Sequence, residues 1–391
     1  MSSRFTTPRD IYFGPGAIEH LKDLKGKKAV VVTGGSSLKK SGALDRILGY
    51  LAQAKLETRV IDGIDPDPSV ESVLAGAKIL QEFGPDWIIG VGGGSPIDAA
   101  KAMWVLYEHP ECKFEDIREP FTIPPLRNKA RLVGIGTTSG TASEVTACAV
   151  ITDFKTQIKY PMADFQLNPD IAIVDPELTY TLPGHMIAYT GIDALTHAIE
   201  AYVAKAHSSF SDAPGLMAMQ MIFDNLERSY LGDLEARNNM HYAQCLAGLS
   251  FTNALVGIAH SMAHKVGATF RVPHGCANAI FLPYVIQYNS KDPASLVRFA
   301  DIARFLGLPG VTNSGLCDSL AAAIRDLNRR LKIPGTLREY GLPEADFKAS
   351  LTAVAERSLV DICTFFNPRA IDQPTMERLL LCIYEGEDCF F

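Results

Sequence analysis

The sequence lacks several features that would assign it to a specialised class of protein. No apolar stretch approaches the roughly 20 residues that cross a bilayer, and residues 1–8 lack the apolar core of a signal peptide. Its eight cysteines are scattered without a C-x-x-C pair, so neither a disulfide framework nor a structural zinc knuckle is indicated. The net charge of −7 offers no basic surface for nucleic acid or an anionic membrane. We therefore expect a cytoplasmic protein that binds neither nucleic acid nor a membrane.

The length and composition are those of a globular protein with more than one domain. A chain of 391 residues exceeds the size at which single hydrophobic cores stop growing. Hydrophobic residues make up 47% of the chain and charged residues 21%, which is enough apolar material for ample cores. Two domains are the expectation.

The first half alternates short β-branched runs with amphipathic stretches. This alternation is typical of βαβ units, with a parallel sheet covered by helices on both faces. The predicted strands are 29–33, 58–62, 87–91, 131–135 and 171–174, and the predicted helices are 43–54 and 69–83. Ligands of such sheets bind beyond the carboxyl ends of the strands.

The second half has a different sequence pattern, because runs of β-branched residues become rare after Leu182-Pro183. Ala, Leu, Met and charged residues recur there at helical spacing. We therefore predict an α/β domain over 1–183 and an all-α domain over 184–391.

Five potential metal ligands occur within an 82-residue stretch of the helical half, from residue 193 to residue 274. Asp193 and His197 are four residues apart, as are His260 and His264, and His274 follows. Residues at i and i+4 share one face of a helix, so each pair can point the same way. One carboxylate with imidazoles suits iron or zinc better than calcium or magnesium. We predict a divalent iron or zinc site in which one of the four histidines is not a ligand.

The alternative for any single histidine is a core residue whose ring nitrogens are satisfied by neighbours. We apply that interpretation to the isolated histidines of the chain, which are His20, His109, His185, His207 and His241. It does not suit the two Ala-rich segments above, because burying a carboxylate and several imidazoles without partners costs several kcal/mol. A bound cation removes that cost.

A glycine-rich turn after the third predicted strand resembles a phosphate-binding loop. Gly92, Gly93 and Gly94 precede Ser95, which we expect to cap a helix, and Pro96, which we expect at its first position. Glycines let the backbone approach a bulky anion, and a helix N-terminus offers free amides to a phosphate. The alternative is a simple tight turn, since the segment matches neither G-x-G-x-x-G nor a P-loop.

A second polar loop, 136–144, follows the strand at 131–135 and supports the nucleotide interpretation. Its hydroxyls could bond the sugar and ring edges of a nucleotide, although the same residues would make an ordinary helix cap. Two such loops at strand ends predict a dinucleotide site.

These motifs resemble the iron-containing (group III) alcohol dehydrogenase family, whose architecture is similar to dehydroquinate synthase. The resemblance runs from Pro8-Arg9-Asp10-Ile11-Tyr12-Phe13-Gly14 through both loops and both histidine segments. Within the family it is nearest to bacterial butanol dehydrogenase-like members. It implies an NAD(P)-linked enzyme that interconverts small primary alcohols and aldehydes, working mostly as an aldehyde reductase.

The resemblance also implies which residues form the site. It assigns Fe²⁺, with Zn²⁺ able to substitute, to Asp193, His197, His260 and His274, and it places His264 beside the substrate and nicotinamide. We hypothesise that His264 relays a proton to and from the alcohol oxygen. The cofactor contacts are Gly34, Gly93, Gly94, Ser95, Asp98, Thr137, Thr138, Thr141 and Lys159.

The choice between NAD and NADP stays open at the sequence level. Many NAD-preferring relatives carry an Asp just after the first strand, where it repels a 2′-phosphate. This chain has Gly34-Gly35-Ser36-Ser37-Leu38-Lys39-Lys40 there, without an acid. That composition permits NADP, although the two lysines can equally be solvated residues of a helix start.

Three alternative functions remain at this stage, and one of them is a sensor that binds metal and nucleotide without catalysis. Arg271, three residues before His274, could bind the head group of an acidic aldehyde such as sulfoacetaldehyde, although a surface arginine is the commoner explanation. A metal-dependent lyase of the dehydroquinate synthase type would share the fold, but it needs a basic cluster that the histidine segments lack.

The segment 4–13 precedes the sheet and could pair across a two-fold axis, so we expect a homodimer.

Overall fold

The computed structural model describes residues 4–156 and 158–391. Contacts divide the chain into two units, Met1–Leu182 and Pro183–Phe391. The first unit contains all the strands of the described residues, and the second consists of helices and their connections.

The first unit is built on a parallel sheet of six strands in the order β1-β8-β5-β4-β2-β3. Two further strands, β6 and β7, form a separate antiparallel pair. The bounds are β1 Asp10–Phe13, β2 Lys28–Gly34, β3 Glu57–Ile64, β4 Trp87–Gly92, β5 Arg131–Gly136, β6 Cys148–Asp153, β7 Ile158–Ala163 and β8 Ile171–Val174.

The central strands form because their β-branched residues are buried on both faces of the sheet. In β2, Val30 and Val32 join the core on one side, while Ala29 and Val31 join the core on the other. This alternation follows from the two-residue period of a strand. The five predicted strands are confirmed, whereas the β6–β7 pair was not predicted.

The described residues of the first unit form five α-helices: α1 Ser37–Lys40, α2 Ala43–Gln53, α3 Val70–Phe83, α4 Gly94–Glu108 and α5 Phe114–Ile117. The predicted helices at 43–54 and 69–83 correspond to α2 and α3. Ser69 caps α3 by accepting a hydrogen bond from Ser72 N at 3.0 Å, and Gly84 ends it in the left-handed conformation. Local sequence signals thus define both ends of α3.

The second unit contains ten helices in its described residues. They are α6 Gly184–Val203, α7 Ser209–Tyr230, α8 Leu234–Ala254, α9 Ile258–Phe270, α10 His274–Asn289, α11 Pro293–Phe305, α12 Asn313–Arg330, α13 Glu344–Leu359, α14 Ile362–Phe366 and α15 Gln373–Glu385. Helix α6 is buried continuously from Gly191 to Val203 and contacts α7, α8 and α10. Polar residues in that stretch are therefore shielded from water.

No single helix in the described part of the chain is long and apolar enough to cross a membrane. The pair α8 and α9 passes the same test together, by length and composition, but it is bent by 103° at the break between them.

Candidate functional site

The candidate metal centre begins on α6, which carries Asp193 and His197 one turn apart. Both side chains are buried, with 3% of Asp193 and 6% of His197 exposed. A carboxylate at this depth requires a compensating charge or several hydrogen-bond donors. It receives one amide donor, Asn278 Nδ2, at 2.8 Å from Asp193 Oδ1.

Two backbone reversals bring the other histidines to the same place. Leu255, the residue after α8, has a positive φ of 61°, and the chain turns sharply before α9, so that His260 lies in the first turn of α9. Arg271, the residue after α9, has a left-handed φ of 59°, and α10 begins at His274. Both imidazoles thus project from the start of a helix.

Three of the four predicted ligands converge. His274 Nε2 lies 3.5 Å from Asp193 Oδ1 and His260 Nε2 lies 4.0 Å from the same oxygen. Potential ligand atoms of Asp193, His260 and His274 all lie within 4.8 Å of one another. His197 is adjacent, with its ring stacked on His260 at 4.4 Å between centroids and on Phe251 at 4.2 Å.

The chemistry of this cluster fits a divalent transition metal. His197 Nδ1 and His260 Nε2 are buried and have no hydrogen-bond partner among the residues that the structure describes. Burial lowers the pKa of both His197 and His260 to about 4, so both rings are neutral at pH 7 and can act as ligands. Burial alone would raise the pKa of Asp193, but its interactions with His197, His274 and His260 lower it. A carboxylate beside neutral imidazoles is a typical ligand set for iron or zinc.

His264 lies beside this cluster, and its Nδ1 pairs with another carboxylate. The ring stacks on His274 with 5.3 Å between centroids, while Nδ1 lies 3.0 Å from Asp361 Oδ2. Lys265 Nζ contacts the same oxygen at 2.7 Å. Burial opposes ionisation of Asp361, but His264 and Lys265 hold the pKa of its carboxyl well below the usual range. His264 is thereby fixed in orientation at the edge of the metal cluster.

In the first unit, the glycine turn joins β4 to α4 as predicted, with one correction. Gly93 occupies the N-cap position and α4 begins at Gly94, so Ser95 and Pro96 lie inside the first turn. Ser95 therefore does not cap the helix, and its Oγ instead accepts a hydrogen bond from Asp67 N at 3.3 Å. The error is one of helix boundary, because Gly94 adopts helical geometry without a side chain to signal it.

The second polar loop lies against the glycine turn. Thr137 N donates to Gly92 O at 2.8 Å. A Cβ added to Gly93 would lie 3.5 Å from Thr138, and one added to Gly94 would lie 3.4 Å from Thr141. The carboxyl ends of β4 and β5 thus bring the two predicted cofactor loops together.

Three other predicted cofactor residues are engaged within the protein. Asp98 accepts a hydrogen bond from Val150 N at 3.0 Å, and burial raises its pKa to about 6. Lys159 forms an ion pair with Asp67 at 2.6 Å. Gly34 ends β2, where a Cβ would lie 2.9 Å from Ile64 O. Their roles toward a cofactor stay predictions.

Sequence reasoning missed three polar residues around the metal cluster: Glu200, Asn278 and Asp361. Asn278 lies four residues after His274 on α10, so helical spacing could have revealed it. Glu200 lies three residues after His197 in an apolar run, and an acidic residue in such a run indicates a buried carboxylate with a specific partner. Asp361 is distant in sequence from every histidine, and nothing local identifies it.

The chain matches two family descriptions that together cover most of its length. Residues 8–176 match the iron-containing alcohol dehydrogenase description, and residues 187–384 match the C-terminal part of the Fe-containing alcohol dehydrogenase family. The NADPH-dependent butanol dehydrogenase of Clostridium saccharobutylicum is 57% identical over 388 residues, which is 99% of this chain and 100% of that protein.

Solved structures agree with these matches. The structure of a 1,3-propanediol oxidoreductase superposes with a TM-score of 0.92 at 35% identity, covering 98% of this chain and 100% of the other. The sulfoacetaldehyde reductase of Bifidobacterium kashiwanohense superposes with a TM-score of 0.87 at 27% identity, covering 99% and 100%. This chain corresponds to only 46% of the length of the bifunctional aldehyde-alcohol dehydrogenase of Escherichia coli K12, to which it is 40% identical.

The fold, the cluster of potential metal ligands and the matches to known proteins together define a metal-dependent, NAD(P)-linked oxidoreductase that interconverts alcohols and aldehydes. The chain belongs to the iron-containing alcohol dehydrogenase family. The predicted resemblance, including its butanol dehydrogenase-like character, is confirmed, as is the α/β plus all-α fold of the dehydroquinate synthase type.

Proposed function

We propose that this chain reduces short unbranched aldehydes to primary alcohols with NADPH, at an iron held by Asp193, His197, His260 and His274. The observation that carries the proposal is the convergence of Asp193, His260 and His274, of which Asp193 and His260 are buried. Beside the Asp193 carboxylate, ring nitrogens of His197 and His260 have no hydrogen-bond partner among the described residues. When bound, the metal supplies a Lewis acid for the substrate oxygen and the nicotinamide supplies hydride.

The residues around the ligands have distinct tasks in this proposal. Asn278 holds Asp193 Oδ1 in place through its amide. His264 is partly exposed and is oriented by Asp361, so it can pass a proton between the product oxygen and water. Phe251, stacked on His197, excludes water from one side of the cluster.

The proposed preference for NADPH is supported by the turn after β2. Gly35, Ser36 and Ser37 are exposed and no acidic residue follows the strand, so nothing there repels a 2′-phosphate. Lys39 forms an ion pair with Asp62, while Lys40 is exposed. The relative at 57% identity is named as NADPH-dependent.

We propose that Gly93, Gly94 and Ser95 hold the pyrophosphate. The free amides at the start of α4 suit an anion. Asp98, Thr137, Thr138, Thr141, Lys159 and Gly34 complete the proposed cofactor site. We therefore propose that residues 1–183 bind the dinucleotide and that residues 184–391 bind the metal.

We also propose a homodimer, because β1 is an edge strand with one side open for pairing. Eight free cysteines fit a cytoplasmic location.

An unbranched, uncharged aldehyde is preferred to an acidic one as the proposed substrate. Arg271, the residue that suggested an acidic head group, is exposed at the end of α9. The relative named as a sulfoacetaldehyde reductase is 27% identical, against 57% for the butanol dehydrogenase. The family match also decides against the lyase alternative.

The test is a steady-state comparison on iron-loaded protein, with butanal and sulfoacetaldehyde each assayed against NADPH and NADH. We expect kcat/KM for butanal with NADPH to exceed the other three combinations by at least about tenfold, or about 1.4 kcal/mol in transition-state binding. Arg271→Ala should leave butanal reduction unchanged. A preference for sulfoacetaldehyde that disappears in Arg271→Ala would contradict the proposed substrate.

A matched variant tests the cofactor assignment separately. Ser36→Asp places a carboxylate in the turn after β2, where an acidic residue also suits the start of α1. We expect the preference to shift toward NADH by about tenfold or more through repulsion of the 2′-phosphate. An unchanged preference would show that the 2′-phosphate binds elsewhere.

A further inference from the structure

Glu200 is a buried acidic residue that none of the roles above uses. It lies on α6, seven residues after Asp193 and three after His197, with only 2% of its surface exposed. At helical spacing these positions share one side of α6. The helix that carries two proposed ligands therefore also carries a second carboxylate toward the same region.

The side chain of Glu200 is surrounded by hydrogen-bond donors at the start of α9. Oε1 accepts from Ala259 N at 2.8 Å, and Oε2 accepts from His260 N at 3.4 Å. The same Oε2 lies 2.6 Å from His260 Nδ1. Because Gly257, the N-cap residue of α9, has no side chain, Glu200 supplies the helix cap from α6.

The contact with His260 also determines which ring nitrogen is available. Two backbone N–H groups donate to Glu200 and favour its ionised form, which only accepts hydrogen bonds. Nδ1 of His260 therefore carries the ring proton, and Nε2 presents its lone pair. Nε2 is the nitrogen on the side of Asp193, and it has no hydrogen-bond partner among the described residues. Carboxylates that hold the second nitrogen of a ligating histidine are common in metal sites, and they raise the basicity of the ligand.

We propose that Glu200 is a positioning residue of the metal centre, which fixes the tautomer and ring orientation of His260 while capping the helix that carries it. This inference rests on the proposed metal site. It adds that the metal affinity of that site depends on a residue that does not itself touch the metal.

Substitution of Glu200 by Gln removes one of the two functions of the carboxylate, whichever way the amide is oriented. If the amide oxygen faces Ala259 N, the amide NH₂ faces His260 Nδ1, and the ring proton must move to Nε2, where it blocks a ligand position. If the amide is reversed, its NH₂ opposes the backbone N–H of Ala259 and the cap is lost. Either arrangement weakens metal binding.

Glu108 provides a matched control. It is also buried, and its carboxylate accepts three backbone N–H groups, those of Asn128, Lys129 and Ala130, each at 2.9 Å. It belongs to the first unit, and in the described residues the donors to its carboxylate are backbone N–H groups rather than a histidine ring. Glu108→Gln therefore removes the same charge from a similar set of backbone N–H donors, in the unit that does not contain the metal cluster.

The experiment measures Zn²⁺ affinity of the full-length protein by competition with a chromophoric chelator. We expect Glu200→Gln to bind Zn²⁺ about 10–100-fold more weakly than the wild type, the range found when such outer carboxylates are removed. Glu108→Gln should bind Zn²⁺ like the wild type. Equal affinities in the wild type and Glu200→Gln, with a lower melting temperature in the variant, would overturn the proposal and leave Glu200 as a helix cap alone.

A second measurement on the wild type does not depend on the folding of the variant. Nitrogen NMR of protein labelled with ¹⁵N-histidine, loaded with Zn²⁺, should show His260 protonated at Nδ1 and coordinated through Nε2. A bare Nδ1 or coordination through Nδ1 would overturn the inference. Wild-type protein that binds no Zn²⁺ would overturn the proposed metal site and this inference together, whereas binding without the expected tautomer would overturn this inference alone.

Discussion

At the scale of single residues, the metal cluster is an arrangement of neutral imidazoles around one carboxylate. His197 and His260 owe their neutrality to burial, which lowers the pKa of each ring to about 4. Asp193 keeps its charge because the neighbouring rings favour it and Asn278 donates to it. The proposed ligands are therefore in the protonation state that metal binding requires.

His264 is the residue whose role can be separated most cleanly from metal binding. Its Nδ1 pairs with Asp361, and its ligand atoms group with Asp361 and Cys363 rather than with Asp193. We expect His264→Ala to lower kcat by about 10²–10⁴-fold through loss of proton transfer, while metal content stays at the wild-type level. Elemental analysis and kcat measured on the same preparation check this.

His260→Ala is the control for that experiment, and it should lose metal and activity together. If His264→Ala also loses its metal, His264 is a ligand and the proton-relay role is wrong.

Asp98 gives a prediction about pH. Burial raises its folded pKa to about 6, above the value of about 3.9 for an unfolded Asp. Between pH 4 and 6 the folded state therefore binds more protons, and raising the pH through that window destabilises it. We expect Asp98→Asn to melt about 2–4 °C higher than the wild type at pH 7 and to lose that advantage at pH 4.

Melting curves of both proteins at the two pH values check this prediction. A wild-type melting temperature that rises relative to that of the variant between pH 4 and pH 6 would show that Asp98 is ionised at low pH in the folded protein.

At the scale of elements, the site depends on how closely the helices approach one another. Gly275, the second residue of α10, faces the backbone of α6, where an added Cβ would lie only 2.3 Å from Tyr189 O. Glycine here lets the start of α10, and with it His274, reach Asp193. No flexible side chain is available to move aside, because the obstructing atom belongs to the backbone.

We expect Gly275→Ala to weaken Zn²⁺ binding by at least about tenfold, because α10 must shift away from α6 and carry His274 with it. Gly49→Ala is the matched control, since Gly49 lies within α2 and an added Cβ there would have no atom within 4 Å. That control should gain about 0.5–1 kcal/mol of stability from helix propensity without a change in metal affinity. Wild-type affinity in Gly275→Ala would show that the approach of the two helices does not set the ligand geometry.

Elements with strong local signals could be predicted from sequence, and those defined by tertiary contacts could not. The β-branched runs of β2 and β4 are buried on both faces, and Ser69 and Gly84 mark both ends of α3. The β6–β7 pair has weaker signals. Its register places Pro161 opposite Val150, and proline in a run argues against a strand unless the strand lies at an edge.

The candidate site divides in the same way. Asp193, His197, His260 and His264 could be found because the four-residue spacing of a helix leaves a periodic pattern in the sequence. Asp361 could not be found, because it reaches His264 across 97 residues of chain. Glu200 could be predicted only in part. Its helical spacing from His197 can be read from the sequence, but its contact with His260 Nδ1 is known only from the fold.

At the scale of the whole molecule, metal binding should contribute to stability. Ligands that bind only the folded state stabilise it by about 2.7 kcal/mol at a hundredfold excess over Kd. The four proposed ligands all belong to Pro183–Phe391, so the effect should be confined to that unit. We expect a chelator to lower the melting temperature and to increase amide hydrogen exchange in α6, α9 and α10, with β2, β4 and β5 unchanged.

Restoring Zn²⁺ should reverse both effects. Equal exchange in the two units after chelation would contradict the assignment of the metal to the helical unit.

If Asp193, His197, His260 and His274 bind one metal ion, an anomalous difference map of an iron-loaded crystal, collected at the iron absorption edge, should show a single peak in contact with these four side chains. A peak at the neighbouring group of His264, Asp361 and Cys363 instead, or a peak without contact to Asp193, would show that the metal is not bound by these four residues.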